Sequence, residues 1–372
     1  MPLAFSPEQI AFREAVRSFL ADKSPEPEVR RVMATDEGYD PAVWAQLNDQ
    51  LGAAGLAIPE EYGGSGYTFR ELAIVLEEAG RSLLCAPLLS SAIASSAILA
   101  SGDESAAKEL LPGIAQGSTI ATVAFTHAPQ PWDQQGATAS AQPAPDGQSW
   151  ALSGSATYVI DGHTADLLIV PARTAGGLSL FAVRGDAPGV TRVLLPTLDQ
   201  TRKLARLEFA AAPARLLGTE GAAAEAVDHV RLVASAALAS EQAGVTEAAK
   251  EMAVQYAKER VQFGQTIGSF QAIKHKCADL HVAAESAKSA AYAAAIAITD
   301  NPEDLAEIIE VAASFCSEAC LLAGHENIQI HGGIGFTWEY PAHLYYKRAK
   351  SSEFLFGDVT YHREILATKI GL

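Results

Sequence analysis

The feature that most constrains the fold is the alanine-rich, helix-forming sequence that fills the C-terminal part of the chain. From Gly221 to the end, small apolar residues recur at helical spacing, which predicts long helices over about 222–262, 271–299 and 302–327. Helices with such small side chains pack closely on one another. The sequence therefore predicts a C-terminal four-helix bundle.

Two segments with different sequence patterns precede this bundle. The first is helical and begins with a capping box, Ser6 to Gln9, with proline at the first helical position. In the second, short β-branched or aromatic runs alternate with Gly, Pro and Asp, which predicts a small antiparallel sandwich or barrel. The order predicts an α+β multi-domain fold: an N-terminal helical domain over 1–118, a middle β domain over 119–220 and a helical bundle over 221–372.

Charge and cysteine usage exclude several classes of function. The chain carries 27 Lys and Arg against 44 Asp and Glu, a net charge of −17, without a basic tract, which argues against nucleic acid and anionic membranes as partners. No apolar run is long enough to span a bilayer, and the N-terminus lacks the pattern of a signal peptide. Four cysteines in 372 residues do not suggest a disulfide framework, so we expect a cytoplasmic protein.

Neither a metal site nor two common catalytic motifs are supported. Cys316 and Cys320, with His325 and His331 downstream, invite a metal interpretation, but cysteines four residues apart in an alanine-rich helix are typical of small core residues. The sequence also lacks a Gly-x-Gly-x-x-Gly fingerprint after a strand and a nucleophile elbow. We therefore predict no metal, no Rossmann nucleotide site and no serine hydrolase triad.

Three motifs in the C-terminal part carry more specific information. They are Arg260-Val-Gln-Phe-Gly-Gln265, Ile267-Gly-Ser-Phe-Gln-Ala-Ile273 and Gln329-Ile-His-Gly-Gly333, accompanied by Ile58-Pro-Glu-Glu-Tyr-Gly-Gly64 and Tyr340-Pro with Arg348-Ala-Lys350. With them the chain resembles the acyl-CoA dehydrogenase family over essentially its whole length, in the same α, β, α order. The resemblance implies an FAD cofactor between the β domain and the bundle, with its ADP half reaching into a neighbouring subunit.

The resemblance assigns cofactor contacts to the bundle. Arg260 offers a fork of donors suited to a pyrophosphate, Phe263 can lie against the adenosine, and Gln271 can bond its polar edges. Gln329 with Gly332 and Gly333 forms a loop whose backbone can approach the cofactor, since no Cβ intervenes. Two alternatives stay open: Arg260 as a solvated residue paired with Glu259 or another neighbour, and the two glycines as an ordinary turn.

The β domain departs from the family pattern. Thr126 matches a family threonine that contacts the flavin, although the residues after it do not match; the alternative is a plain strand residue. Where the family places Trp and Thr beside the flavin ring, this chain has Tyr158 and Ile160. Because an isoleucine side chain has no hydrogen-bonding group, flavin contacts there must be weaker or come from the backbone.

The family reaction, α,β-dehydrogenation of an acyl-CoA thioester, needs a carboxylate that removes the α-proton. The position that carries this Glu in most members holds Phe356, and the alternative position on the long helix holds Ala234. The candidates that remain are Glu241, seven residues further on the same helix face, and Asp358. For Glu241 the alternative is a buried, ion-paired helix contact, so the identity of the base stays open.

Three hypotheses follow from the resemblance. In the first, the chain is an FAD-dependent acyl-CoA dehydrogenase that works as a homo-oligomer and passes electrons to an electron-transfer flavoprotein-like acceptor. In the second, it is a partner subunit of a heteromeric dehydrogenase, completing the flavin site while another chain supplies the base. The third is a flavin-free structural paralogue. The net charge of −17 does not oppose a buried dinucleotide, because phosphate recognition needs only a few local cations.

Overall fold

The computed structural model describes residues 5–125, 132, 136–144 and 149–372. Helices dominate both ends of the chain. In the described residues the α-helices are α1 Pro7–Lys23, α2 Glu26–Met33, α3 Pro41–Leu51, α4 Phe69–Arg81, α5 Leu88–Ala100, α6 Glu104–Ala115, α7 Ala224–Glu259, α8 Gln271–Asp300, α9 Leu305–His331, α10 Ala342–Ser352 and α11 Val359–Lys369.

The strands occupy the middle of the chain and one short hairpin. They are β1 Ala121–Val123, β2 Ala139–Pro143, β3 Trp150–Ile160, β4 Leu167–Thr174, β5 Gly177–Arg184, β6 Val190–Leu194, β7 Leu204–Leu217, β8 Val261–Gln262 and β9 Gln265–Thr266. Strands β4, β2, β3, β7 and β5 pair in a closed ring, with β1 added to β4 and β6 to β7. A barrel results, and its interior is filled by apolar side chains such as Leu152, Leu168 and Phe181.

The barrel differs from the prediction in two respects. An antiparallel sheet was expected, but strand β4 pairs in parallel with both β1 and β2. The expectation failed because these pairings join segments that are distant in sequence. The sequence predicts separate short strands at Ser149-Trp-Ala-Leu152 and Ala156-Thr-Tyr-Val-Ile160. They form one strand, β3, whose pairing with β7 shifts between Leu152 and Gly154 and again between Ala156 and Val159. These irregularities bend a single long strand, which in sequence resembles two short ones.

The helical predictions hold, with changes at the ends. The capping box at Ser6 is formed on both sides. Asp40-Pro41, followed by Trp44, Leu47 and Leu51, predicts a second helix that ends at Gly55. The observed helix, α3, starts after the Asp40 cap but ends at Leu51, because Gly52 takes the left-handed conformation with φ 60°. The third long C-terminal helix begins later and runs further than 302–327, over Leu305–His331.

The chain divides into two compact units, each made of separate segments. The bundle unit comprises residues up to Arg31, Phe69–Leu84 and Ser235–Leu372; the barrel unit comprises Val32–Thr68 and Cys85–Ala234. The predicted domain boundaries at 118 and 220 both lie inside the barrel unit, and the three-domain division stays a prediction. None of the helices in the described ranges is long and apolar enough to cross a membrane.

Within the bundle unit, two glycines bring α4 and α7 into backbone contact. A Cβ on Gly80 would lie 2.1 Å from the carbonyl oxygen of Glu241, and one on Gly244 would lie 1.8 Å from that of Glu77. A real Cβ does not approach an oxygen so closely, so the crossing requires glycine on both helices. It places Glu241 at the interface of α4 and α7, where its side chain is shielded from water.

Candidate active site and cofactor face

The cofactor residues predicted in the bundle lie on the surface of the bundle unit. Arg260 follows the end of α7, and the hairpin of β8 and β9 comes directly after it. Phe263 and Gly264 form the turn of this hairpin, with φ values of 54° and 79°. The Phe263 side chain is 92% exposed. The ring is therefore accessible to another molecule.

The Arg260 guanidinium makes no hydrogen bond or ion pair within the described part of the chain. Its backbone is fixed at both sides, since its N–H donates to the Tyr256 carbonyl and its own carbonyl accepts from the Ile267 N–H, each at 2.8 Å. Its side chain is exposed and has no partner among the described residues. The neighbouring Glu259 instead accepts a hydrogen bond from the Gln255 side chain. The expected alternative, a pair of Arg260 with Glu259, is therefore not formed.

The other predicted bundle residues are also exposed. Gln271 is the first residue of α8, and Gln329 lies in the last turn of α9. Gly332 ends α9 with φ 64° and ψ −144°, and a Cβ on Gly332 or Gly333 would meet no described atom within 4 Å. A ligand can therefore approach this backbone closely, as a dinucleotide requires.

The loop at Gly332 and Gly333 follows a cluster of packed rings, Tyr256, His331 and Tyr340, that the sequence analysis did not predict. His331 stacks on Tyr256 with ring centroids 4.1 Å apart and lies 4.6 Å from Tyr340. Its Nδ1 is 2.7 Å from the Asn327 carbonyl oxygen, so this nitrogen carries the proton. Burial lowers the pKa of His331, which keeps the ring neutral. The cluster fixes the direction in which the chain leaves α9.

In the barrel unit, the predicted flavin-facing positions are only partly described. Thr126 lies outside the described residues. Tyr158 is 45% exposed with φ 61°, and Ile160 is buried. The Ile160 carbonyl accepts a hydrogen bond from the Thr122 hydroxyl at 2.7 Å, so that carbonyl already has a donor from its own unit.

Glu241, the first candidate for the base, forms a buried ion pair. Its Oε1 lies 2.6 Å from Nη1 of Arg348 on α10, and the two side chains are 7% and 4% exposed. Arg348 belongs to the motif Arg348-Ala-Lys350. Its pairing with Glu241 could not be predicted from a local sequence pattern, because the two residues are 107 positions apart. The geometry favours the alternative stated for Glu241, a structural ion pair, over a base that must approach a substrate carbon.

The other three positions considered for a base offer no free carboxylate in the described structure. Phe356 is 2% exposed and has φ 63°, and Ala234 is fully buried. Asp358 is the N-cap of α11, and its Oδ1 accepts the Tyr361 N–H at 2.8 Å. The Asp358 carboxylate therefore satisfies a backbone donor at the start of α11.

The two cysteines that the sequence analysis rejected as metal ligands lie in the core. Cys316 and Cys320 are both buried, and the Cys316 thiol donates to the Ala287 carbonyl at 3.3 Å. Burial raises the pKa of Cys316, so it stays a neutral thiol.

Helices at both ends of the chain and a β barrel between them are the architecture of a known class of oxidoreductases. The family model described as acyl-CoA dehydrogenase, N-terminal domain, matches residues 6–118, and the one described as acyl-CoA dehydrogenase, C-terminal domain, matches residues 221–371. This chain belongs to the acyl-CoA dehydrogenase family and is an oxidoreductase by that membership.

Three relatives illustrate the similarity. Acyl-CoA dehydrogenase IpdE2 of Mycobacterium tuberculosis is 36% identical over 345 residues, which cover 93% of this chain and 92% of the relative. The Tcur3481–Tcur3483 steroid ACAD matches with a TM-score of 0.88 and 31% identity, covering 98% of both chains. The ChsE4–ChsE5 complex from Mycobacterium tuberculosis matches with a TM-score of 0.90 and 26% identity, covering 100% of this chain and 99% of that one.

Proposed function

We propose that this chain is the half-site subunit of a heteromeric, FAD-dependent acyl-CoA dehydrogenase. A related chain holds the flavin and supplies the base, and this chain completes the binding site of the cofactor. The observation that carries the proposal is the buried pair of Glu241 with Arg348, because it commits the first candidate base to structure. Asp358 is likewise committed, as the cap of α11.

The exposed face of the bundle unit suits the ADP half of FAD. Arg260 would bind the pyrophosphate through its unpartnered guanidinium, and Phe263 would cover the adenosine. Gly332 and Gly333 would let the backbone approach the phosphates. When bound, FAD accepts the hydride from the β-carbon of the acyl thioester.

The residues that would serve the flavin ring from this chain's own barrel are weaker. Ile160 brings no side-chain donor, and its carbonyl is already bonded to Thr122. This chain thus offers contacts for the ADP half of FAD but few for the flavin ring. Such an imbalance is expected when two different chains share one flavin site. Electrons would leave the assembly through an electron-transfer flavoprotein-like acceptor.

Two of the similar structures support a heteromeric assembly and a substrate class. The Tcur3481–Tcur3483 structure is named for two proteins and is described as a steroid ACAD. The ChsE4–ChsE5 structure is a complex of two proteins. We therefore propose an acyl-CoA thioester whose acyl group carries a steroid-type ring system. The principal alternative is a homo-oligomer in which Glu241 or Asp358 is the base.

Co-expression separates the two assemblies. The chain is produced alone and together with a family member encoded beside it, and the visible flavin absorbance, the mass of the oligomer and the turnover of a steroid acyl-CoA are recorded. We expect flavin and turnover only from the co-expressed pair. Stoichiometric flavin and turnover from the chain alone would overturn the half-site proposal.

A matched pair of arginine variants tests the cofactor face. Arg260→Gln should lower the flavin content of the co-expressed complex, because a charge-assisted contact to the pyrophosphate is lost. Arg206→Gln is the control, since Arg206 is an exposed arginine paired with Glu208 on the outside of the barrel. Equal flavin content in both variants would remove Arg260 from the site.

A further inference from the structure

The cofactor face of the bundle unit is made of two segments that are far apart in sequence. The first follows the end of α7 and contains Arg260 and Phe263, and the second follows the end of α9 and contains Gly332 and Gly333. Two such segments can bind one dinucleotide together only if they keep a fixed position relative to each other. The contact that joins them involves His331, which is not one of the predicted cofactor contacts.

This contact is a stack of two rings. Tyr256 lies in the last turn of α7, and its ring stacks on that of His331, the last residue of α9, with centroids 4.1 Å apart and an angle of 29° between the planes. The carbonyl of Tyr256 also accepts a hydrogen bond from the Arg260 N–H at 2.8 Å. His331 directly precedes Gly332. The stack therefore connects the residue that anchors the Arg260 backbone to the residue from which the glycine loop starts.

The loop after α9 folds back on the same imidazole ring. It starts at His331, and near its end Tyr340 returns to within 4.6 Å of the His331 ring, measured between centroids. In the middle of the loop Gly335 is buried, and a Cβ on it would lie 2.8 Å from Cβ of His331, closer than real Cβ atoms approach. The position of residues 332–339 therefore depends on where His331 lies.

The orientation of the His331 ring is fixed from within α9. Its Nδ1 donates to the carbonyl oxygen of Asn327, one turn earlier, and the Asn327 side chain is itself fully buried, with Nδ2 3.4 Å from Sδ of Met252 on α7. His331 is 4% exposed, and its Nε2 is buried. The ring is thus shielded from any bound molecule and can act on a cofactor only through the loop that it holds.

We propose that the stack of His331 on Tyr256 positions the two segments of the cofactor face, so that Arg260 and the backbone at Gly332 bind one dinucleotide together. His331 is a positioning residue in this arrangement. The inference rests on the proposed function, because it takes the bound molecule to be the ADP half of FAD. Without the stack each segment would keep its own fold, but the two would move relative to each other and the cofactor would dissociate faster.

The rate at which FAD leaves the co-expressed complex tests the proposal. The holo complex is diluted, and the fluorescence of the released flavin gives the dissociation rate constant. Tyr256→Leu should raise this constant about three- to tenfold, because the aromatic pair is lost. Tyr256→Phe keeps the ring and should release FAD at the wild-type rate. The double variant Tyr256→Leu/His331→Leu should release FAD no faster than the faster of its two single variants, since both substitutions break the same contact.

Tyr345→Leu is the control for a general loss of stability. Tyr345 packs against the same apolar cluster as Tyr256, but it lies on α10, and its hydroxyl donates to the Arg81 carbonyl at 2.9 Å. Removing this ring should lower the melting temperature of the complex and leave the FAD dissociation rate at the wild-type value. A role of Tyr256 in stability alone would make the two leucine variants behave alike.

The outcomes separate this inference from the proposed function. Wild-type release from Tyr256→Leu, release from Tyr256→Phe as fast as from Tyr256→Leu, or equally fast release from Tyr345→Leu would overturn the role of the stack. FAD and turnover in the chain alone would overturn the half-site proposal instead. The same variants are then compared in that homo-oligomer, where faster release from Tyr256→Leu alone would still support the stack. A wild-type complex without FAD would overturn both.

Discussion

Replacing Glu241 with glutamine should destabilise the bundle unit rather than remove a catalytic group. The Oε1 to Nη1 distance to Arg348 is 2.6 Å, and both side chains are almost completely shielded from water. Breaking a buried pair by removing one charge costs about 3–5 kcal/mol, because the other charge stays buried without compensation. Glutamine keeps the shape and one acceptor, so we expect the lower end, about 3 kcal/mol.

This loss is large enough to measure by two methods. For a unit of this size, 1 kcal/mol corresponds to about 2–4 °C in Tm, so Glu241→Gln should melt about 6–12 °C below the wild type. The free energy of unfolding in urea should fall by the same 3 kcal/mol or so, without a change in the slope of the transition. The control is Glu364→Gln, an exposed glutamate of α11, which should stay within about 0.5 kcal/mol.

The double variant Glu241→Leu/Arg348→Met tests whether the cost comes from the unpaired charge. Replacing a buried ion pair by apolar residues of similar volume is often neutral. The double variant should therefore recover most of the stability that Glu241→Gln loses. If the double variant were as unstable as the single one, the loss would reflect packing beside Gly80 instead of electrostatics.

Turnover of the co-expressed complex then distinguishes the two roles of Glu241. As an ion-pair partner, it should leave kcat per folded molecule nearly unchanged in Glu241→Gln when assayed below the melting range. As the base, it should lose turnover while the urea transition stays where it was. The second pattern would refute the argument from the buried pair and return Glu241 to the active site.

Three further predictions concern other parts of the bundle unit. Gly244→Ala should cost about 3 kcal/mol or more in urea unfolding, because its Cβ would lie 1.8 Å from the Glu77 carbonyl oxygen; an unchanged midpoint would contradict this crossing. Burial and the nearby Lys347 lower the pKa of His343 to about 4, so stability should be complete above the ordinary pKa near 6.5 and fall, by at most about 3 kcal/mol, as the pH drops towards 4; His343→Gln should flatten this dependence in acid-titration melts. Phe263→Ala should leave the stability of the isolated chain within about 0.5 kcal/mol, since the ring is 92% exposed, but lower the flavin content of the co-expressed complex.

Local signals were enough to predict most helices. The helix that the sequence placed at 271–299 occupies Gln271–Asp300, because one alanine-rich amphipathic pattern runs through it without interruption. The N-terminal capping box formed as expected, since all its partners lie within four residues. The errors fell at helix ends, where a single left-handed glycine such as Gly52 decides which residue is last.

Long-range pairings could not be predicted from the same signals. Strand β4 pairs in parallel with β2, which helps to close the barrel, and also with β1. Neither pairing is visible in the sequence, because the paired strands are separated along the chain. The partner of Glu241 is likewise 107 residues away. Identical reasoning explains why the ring cluster around His331 was missed: its members come from α7, from α9 and from the segment after α9.

The segment that carries the base in most family members is a packed structural element in this chain. Phe356 has φ 63°, a left-handed conformation that costs a residue with a Cβ about 1–2 kcal/mol. Full burial of a phenylalanine contributes about 1.5–3 kcal/mol, so packing of the 2% exposed ring offsets that cost. Two residues later, Asp358 uses its carboxylate to cap α11. The loop thus keeps its shape through burial and capping, and its Asp358 serves the helix end. Both features agree with the proposal that the base comes from a second polypeptide, and the co-expression experiment decides between that proposal and a homo-oligomer.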